Sequence, residues 1–226
     1  MLTARGATLS AWVRHPEAVR AVIFDLDGVL VDSIAVAREA FRIAYDEVVG
    51  DGVAPVDEYC RYPGRHLVEV LRLMGLPATM ASPFVRESHR LAGQVRLMPG
   101  VIDLLEVLGR RGIPMAVATS KDGVRARTLL DQLGILPVFA HVLGADEVDR
   151  PKPAPDIVLR TLALLGIEAP AALMVGDAVA DIACARAAGV VSVAATWGET
   201  DRATLLTAEP DVVLDHPADL LALSPF

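Results

Sequence analysis

The chain predicts an α/β fold: a Rossmann-like, doubly wound parallel sheet with a small α-helical domain inserted after its first strand. Three observations predict it. From Met98 onward, short apolar, β-branched runs alternate with helix-length segments, and alternating βα units pack as a parallel sheet with right-handed crossovers. Helix after helix closes on the same punctuation, Gly134-Ile135, Gly166-Ile167 and Gly189-Val190. This is a glycine at the helix stop followed by a β-branched residue turning back toward the sheet. Finally, two apolar runs end in aspartates, Asp25 and Asp177, and ligands of such sheets sit beyond the carboxyl ends of the strands.

Taken in order, residues 1–20 read as an N-terminal extension with a short helix around Trp12 and no continuous apolar core, so no signal peptide is expected. Ala21-Val22-Ile23-Phe24 has the composition of a strand buried on both faces. Ile34 to Val49 is a helix stopped by Gly50-Asp51-Gly52. Two further helices are expected over about Arg65 to Met74, before Gly75 and Pro77, and over Pro83 to Ala92. The block 33–95 holds no convincing strand and reads as a helical insert, leaving 21–32 and 96–226 as the core. Within that core, a helix over Val101 to Arg111 leads to the strand Met115–Ala118. A helix from Gly123 to Leu133 and one ending at Leu165 follow, with strands at Leu173–Val175, Val190–Ala194 and Val212–Leu214.

Bulk properties narrow the function. Of 226 residues, 53% are hydrophobic but only 4% aromatic, which means a core built from Ala, Val and Leu. A formal charge of −8 argues against a nucleic-acid partner, which wants a basic surface. It leaves a small anionic substrate open, because local cations can outweigh the global sign. Cys60 and Cys184 are too few for a disulfide framework or a zinc site. Lone thiols and the absence of any span-length apolar run predict a cytoplasmic protein without membrane contact.

The chemistry-bearing residues cluster at predicted strand ends. Asp25 and Asp27 follow the first strand, and alternation sends both to one side. Like charges that close require either a proton on one carboxyl or a cation between them; the plainer reading is a solvated acidic turn. Thr119-Ser120-Lys121 follows the second core strand, where a hydroxyl beside free helix N–H groups suits a phosphate. Equally, Thr119 or Ser120 is an ordinary N-cap, though Lys121 opposes the helix dipole there. In Arg150-Pro151-Lys152-Pro153-Ala154-Pro155-Asp156 three prolines stiffen a loop around one lysine, which fits a lysine that must reach a fixed anion. Asp177 ends the Leu173 strand, and Asp181 follows four residues later on a helix, where both read either as caps or as partners on one face. Four strand-end aspartates call for a metal, and Mg²⁺ takes hard oxygen ligands.

The run AVIFDLDGVLVDS (Ala21–Ser33), with Thr119, Lys152 and Asp177 plus Asp181 in that order, resembles the four motifs of the haloacid dehalogenase-like superfamily. The likeness is to its subfamily I with a C1 cap, the phosphoglycolate phosphatase and β-phosphoglucomutase group. The resemblance implies Asp25 as nucleophile, Asp27 as a general acid/base that starts protonated, and Thr119 with the Ser120 N–H holding the phosphoryl group. It implies Lys152 as the neutralising cation. Mg²⁺ is then held by Asp25, the Asp27 carbonyl and Asp177, with Asp181 steadying the site. The 33–95 block stands where the cap stands, hinged near Ser33 and near Gln94 to Pro99. Its loop Arg61 to His66 is the candidate for reading the substrate, Arg65 and His66 above all, against the alternative of a plain solvated turn. The acid at Asp27 argues against a dehalogenase, and a cap without lysine argues against a phosphonatase. A phosphatase of small phosphate esters is expected, with a sugar phosphomutase or a phosphoryl-accepting or binding module as rivals. At finer grain, EYCRYPGRH and ADEVDRPKPAPDIVLR are similar to phosphatases associated with 3-amino-5-hydroxybenzoate formation, which implies an aminosugar or sugar-acid phosphate.

Overall fold

In the computed structural model, residues 19–223 are described; the expected helix around Trp12 lies outside them. Strand β1 (Ala21–Phe24) is buried throughout, as an all-apolar run in a two-sided sheet requires. A tight turn through Asp25–Leu30 leads to the two-residue strand β2 (Val31–Asp32). The chain then leaves the sheet for α1 (Ile34–Val48), α2 (Val56–Tyr59), α3 (Leu67–Leu73) and α4 (Ala81–Leu91). It returns through β3 (Arg96–Leu97), which pairs antiparallel with β2, Val31 opposite Leu97 and Asp32 opposite Arg96.

The rest alternates helix and strand: α5 (Val101–Arg110), β4 (Met115–Ala118), α6 (Gly123–Gln132), β5 (His141–Leu143), α7 (Asp156–Leu165), β6 (Ala172–Gly176), α8 (Val179–Ala188), β7 (Val191–Ala195), α9 (Arg202–Leu206) and β8 (Val212–Leu214). The other six strands form one parallel sheet in the order β5-β4-β1-β6-β7-β8. The chain runs outward from β1 through β4 to β5, then crosses back to β6 on the other side of β1. That reversal opens a crevice at the carboxyl ends of β4, β1 and β6. Alternate residues of β1 feed the two faces: Val22 and Phe24 join one apolar cluster, Ala21 and Ile23 the other.

The α1–α4 block has a core of its own, built on Phe41, Leu71, Met80 and Phe84. Tyr59 stacks on Phe41 with ring centroids 4.5 Å apart and leans on Phe84, so half of the chain's few aromatics fall in this small lobe. Among the elements unmarked in the sequence are α2, α9, the edge strand β5 and the β2–β3 ribbon, none longer than five residues.

Candidate active site

The expected residues converge. Asp25 follows β1, Thr119 follows β4, Asp177 follows β6, and Lys152 arrives on the loop before α7. Lys152 is all but fully buried, and its Nζ donates to Asp25 Oδ1 at 2.8 Å and to Asp181 Oδ1 at 2.7 Å. The proline-rich loop earns its stiffness here, and Arg150 pins its far end to Asp156 with contacts of 3.0 and 2.7 Å. Asp181 fills both roles the sequence allowed it. Its Oδ2 accepts from the Ala178 N–H at the start of α8, while its Oδ1 accepts from Lys152.

Asp177 caps nothing on its own helix; its Oδ2 accepts from the Glu199 N–H at 2.7 Å. Gly28, at φ 78°, makes room for it, since a Cβ there would come within 2.0 Å of Asp177 Oδ2. One carboxylate oxygen from each of Asp25, Asp177 and Asp181 lies within 4.8 Å of the others. Three buried carboxylates thus share one ammonium. The imbalance shows in their protonation: burial, with Asp181 alongside, outweighs Lys152 and pushes Asp25 up to about 7. Burial also raises Asp177 well above the usual carboxylate range, and Asp181 and Asp25 add to it. Lys152 stays charged, because Asp181 and Asp25 overcome its desolvation. An all-oxygen, cation-deficient, buried donor set fits a hard divalent cation such as Mg²⁺.

Asp27 corrects one expectation. It was to start protonated in a crowded acidic site. Instead Lys121 Nζ donates to both its oxygens, at 2.9 and 2.7 Å, and the Ser33 hydroxyl donates to Oδ1. Burial pushes its pKa up, but Lys121 and Ser33 outweigh burial and hold it below its ordinary value. The like-charge problem at Asp25 and Asp27 is solved by two cations, one for each carboxylate. Lys121 was visible in the sequence only as a residue that opposed the helix dipole.

Neither Thr119 nor Ser120 is an N-cap, a position Asp122 takes. Thr119 is buried at the site and its Oγ1 accepts from the Lys121 N–H at 3.2 Å. The Ser120 hydroxyl donates across the two lobes to the Gly64 carbonyl at 2.6 Å, so its N–H is the group it has left for a phosphate. Gly64 belongs to the expected specificity loop, and that loop is docked rather than free. His66 Nε2 lies 3.4 Å from Asp122 Oδ1, and Arg65 pairs with Glu69 in the first turn of α3. Both residues line a cavity of about 250 Å³ that has Asp25, Asp27, Thr119 and Asp177 at its floor and α1, α3 and α4 as its roof. Glu199 also lines it, pushed up to about 7 chiefly by burial, and the sequence gave no reason to single it out.

A doubly wound sheet whose strand-end aspartates surround a buried lysine, under a roofed cavity, is an α/β protein with its reactive groups at the carboxyl ends of the strands. The haloacid dehalogenase-like hydrolase family model matches residues 22–195, and the chain belongs to that family. Among curated proteins it is 34% identical over 216 residues to a phosphoglycolate phosphatase of Agrobacterium fabrum, with 90% of each chain covered. It is 33% identical over 215 residues to the "Probable phosphatase IndB" of Dickeya dadantii, covering 86% of this chain and 88% of that one. Among solved structures, a haloacid dehalogenase-like family hydrolase from Streptococcus pneumoniae superposes with a TM-score of 0.78 at 28% identity, covering 90% of this chain and 97% of that one. The protein is a phosphomonoester hydrolase of this family. No described helix is long and apolar enough to cross a membrane.

Proposed function

We propose that the protein is a Mg²⁺-dependent phosphatase that hydrolyses a small sugar, aminosugar or sugar-acid phosphate through a phosphoaspartate at Asp25. The observation that carries this reading is the charge inventory at the strand ends: Asp25, Asp177 and Asp181 together, with Lys152 bonded to only two of them. Asp25, the Asp27 carbonyl and Asp177 would hold Mg²⁺, while both oxygens of Asp181 are already spent on Lys152 and Ala178. When bound, the ion supplies the second positive charge that keeps Asp25 ionised and screens it from the phosphoryl group.

The residues divide the work. Lys152 fixes Asp25 through Oδ1 and neutralises it, so the carboxylate can approach a dianion. Thr119 Oγ1 and the Ser120 N–H receive the phosphoryl oxygens. A carboxylate oxygen of Asp25 attacks phosphorus, the bond from phosphorus to the alcohol oxygen breaks, and Asp27 gives that oxygen a proton. Asp27 then takes a proton from water, the water oxygen attacks phosphorus, and the bond to Asp25 breaks to release phosphate. Asp27 as found, ionised against Lys121, is in the form the second step needs. The first step needs its proton, and a phosphoryl dianion arriving beside it raises its pKa in that direction.

The helical block serves as a lid over this floor, with the β2–β3 ribbon as its hinge. Two free cysteines support a reducing, cytoplasmic setting. The test is phosphate release with Mg²⁺, with and without EDTA, across phosphoglycolate, sugar phosphates and aminosugar phosphates; the last are included for the likeness to 3-amino-5-hydroxybenzoate phosphatases. EDTA-sensitive release is expected. Conversion of a hexose 1-phosphate to its 6-phosphate without release would transfer the assignment to a phosphomutase.

A further inference from the structure

Two arginines and one lysine line the cavity, Arg65, Arg125 and Lys121, beside His66 and His89. Arg65 is paired with Glu69, and Lys121 with both oxygens of Asp27. Arg125 is not so committed. It rises from the first turn of α6 with its side chain only 13% exposed, and the carboxylate nearest it, Asp122, stands 3.7 Å away, beyond hydrogen-bond reach. Its Nε is buried with no acceptor among the described residues. What it does meet is a ring, for its guanidinium carbon lies 5.9 Å from the centroid of Phe84 on α4. Stacking of this kind orients the guanidinium and leaves its N–H edge unused. One turn further along α4 the Ser88 hydroxyl also lines the cavity, also buried and also without a partner. Unsatisfied donors of this kind are costly to bury unless a ligand accepts from them.

We infer that Arg125 is the specificity residue of this site, receiving a carboxylate carried by the alcohol portion of the phosphomonoester, with Ser88 as a neighbouring donor. The inference rests on the phosphatase reading above. A carboxylate suits the donor set, since the planar fork takes two oxygens at once. One uncommitted cation matches one negative charge, whereas a second phosphoryl group would bring nearly two. Neutral hydroxyls would leave the guanidinium with no carboxylate closer than Asp122 at 3.7 Å. Arg125 and Asp27 line the same cavity, which sets the carboxylate on the same side as the scissile ester and favours a short alcohol.

The test compares the phosphate esters of glycolate and 3-hydroxypropionate with their carboxamides. Wild-type enzyme is expected to prefer each carboxylate by about ten- to hundredfold in kcat/KM, chiefly through KM. Arg125→Met brings the ratio toward one, and Arg125→Lys keeps part of the preference. A wild-type ratio near one would overturn the inference. So would a ratio that Arg125→Met leaves intact while both esters suffer, since that is the signature of a latch between α6 and Phe84. If neither ester of a pair is hydrolysed, the phosphatase reading fails separately. Thermal shifts of the Mg²⁺-loaded protein then decide: a larger shift with the carboxylate, lost in Arg125→Met, supports the inference, and equal shifts overturn it.

Discussion

Three carboxylates and one ammonium meet at the strand ends, and their unequal pairing sets how the protein responds to pH. Asp25 titrates at about 7 in the folded protein against an ordinary 3.8, and Glu199 at about 7 against 4.5. Between those values the folded chain keeps protons that the unfolded chain has lost. Their contribution to stability is therefore present at low pH and is lost as pH rises through about 7. From about pH 6 to about pH 8 each such group costs on the order of 1 kcal/mol. Metal-free protein should therefore melt several degrees lower at the higher pH, and Mg²⁺ should raise Tm more at the higher pH than at the lower. Thermal denaturation with EDTA and with Mg²⁺ checks this; a metal-free Tm that holds or rises over that range contradicts it. At this scale the residue types were legible and their partners were not. Asp25, Asp177 and Lys152 stand out because each ends an apolar run or sits in a stiff loop. That Lys121 would reach Asp27 across 94 positions depends on how β4 lies beside β1, which no local pattern encodes. Arg125 and Glu199 were missed for the same reason.

Among the elements, the loop between α2 and α3 ties the helical block to the reacting centre. Gly64 holds φ 71°, and a Cβ built there would stand 2.5 Å from the Ala178 Cβ and 3.7 Å from Asp181 Oδ2. Its carbonyl takes the Ser120 hydroxyl. Ala178 is thus the surface on which the loop rests. Gly64→Ala meets both a strained backbone, at roughly 1–2 kcal/mol, and a clash that lifts the loop. It should lower kcat/KM about tenfold or more, while Tm moves by only a few degrees, because the sheet is untouched. Unimpaired turnover by Gly64→Ala would remove the loop from the account. Element boundaries in the core were legible because glycine stops and apolar runs are local signals. Gly134, Gly166 and Gly189 all take positive φ. β5 and the β2–β3 ribbon were not, since they are strands only because Ala116 pairs with His141 and Val31 with Leu97.

The whole molecule is two lobes with separate apolar cores, and the cavity lies where they face each other. The core lobe supplies the carboxylates, Thr119 and Lys152; the helical lobe supplies Phe84, Ser88 and the Gly64 loop. A formal charge of −8 sits on a protein whose site concentrates Lys121, Lys152 and Arg125, so under the proposed function local charge rather than global charge would receive the anion. The division into sheet and helical insert was legible because strand signals stop after Phe24 and resume near Met115. The facing of the lobes was not, because it is set by tertiary contacts such as Ser120 to Gly64. The central claim is that phosphorus becomes bonded to Asp25, and peptide mass spectrometry of Asp27→Asn protein, acid-quenched after mixing with Mg²⁺ and an aryl phosphate, tests it most directly. A good leaving group needs no proton, so the account predicts a phosphoryl adduct on the peptide carrying Asp25, absent when Asp25→Asn is added. No adduct, or one on any other residue, would contradict it.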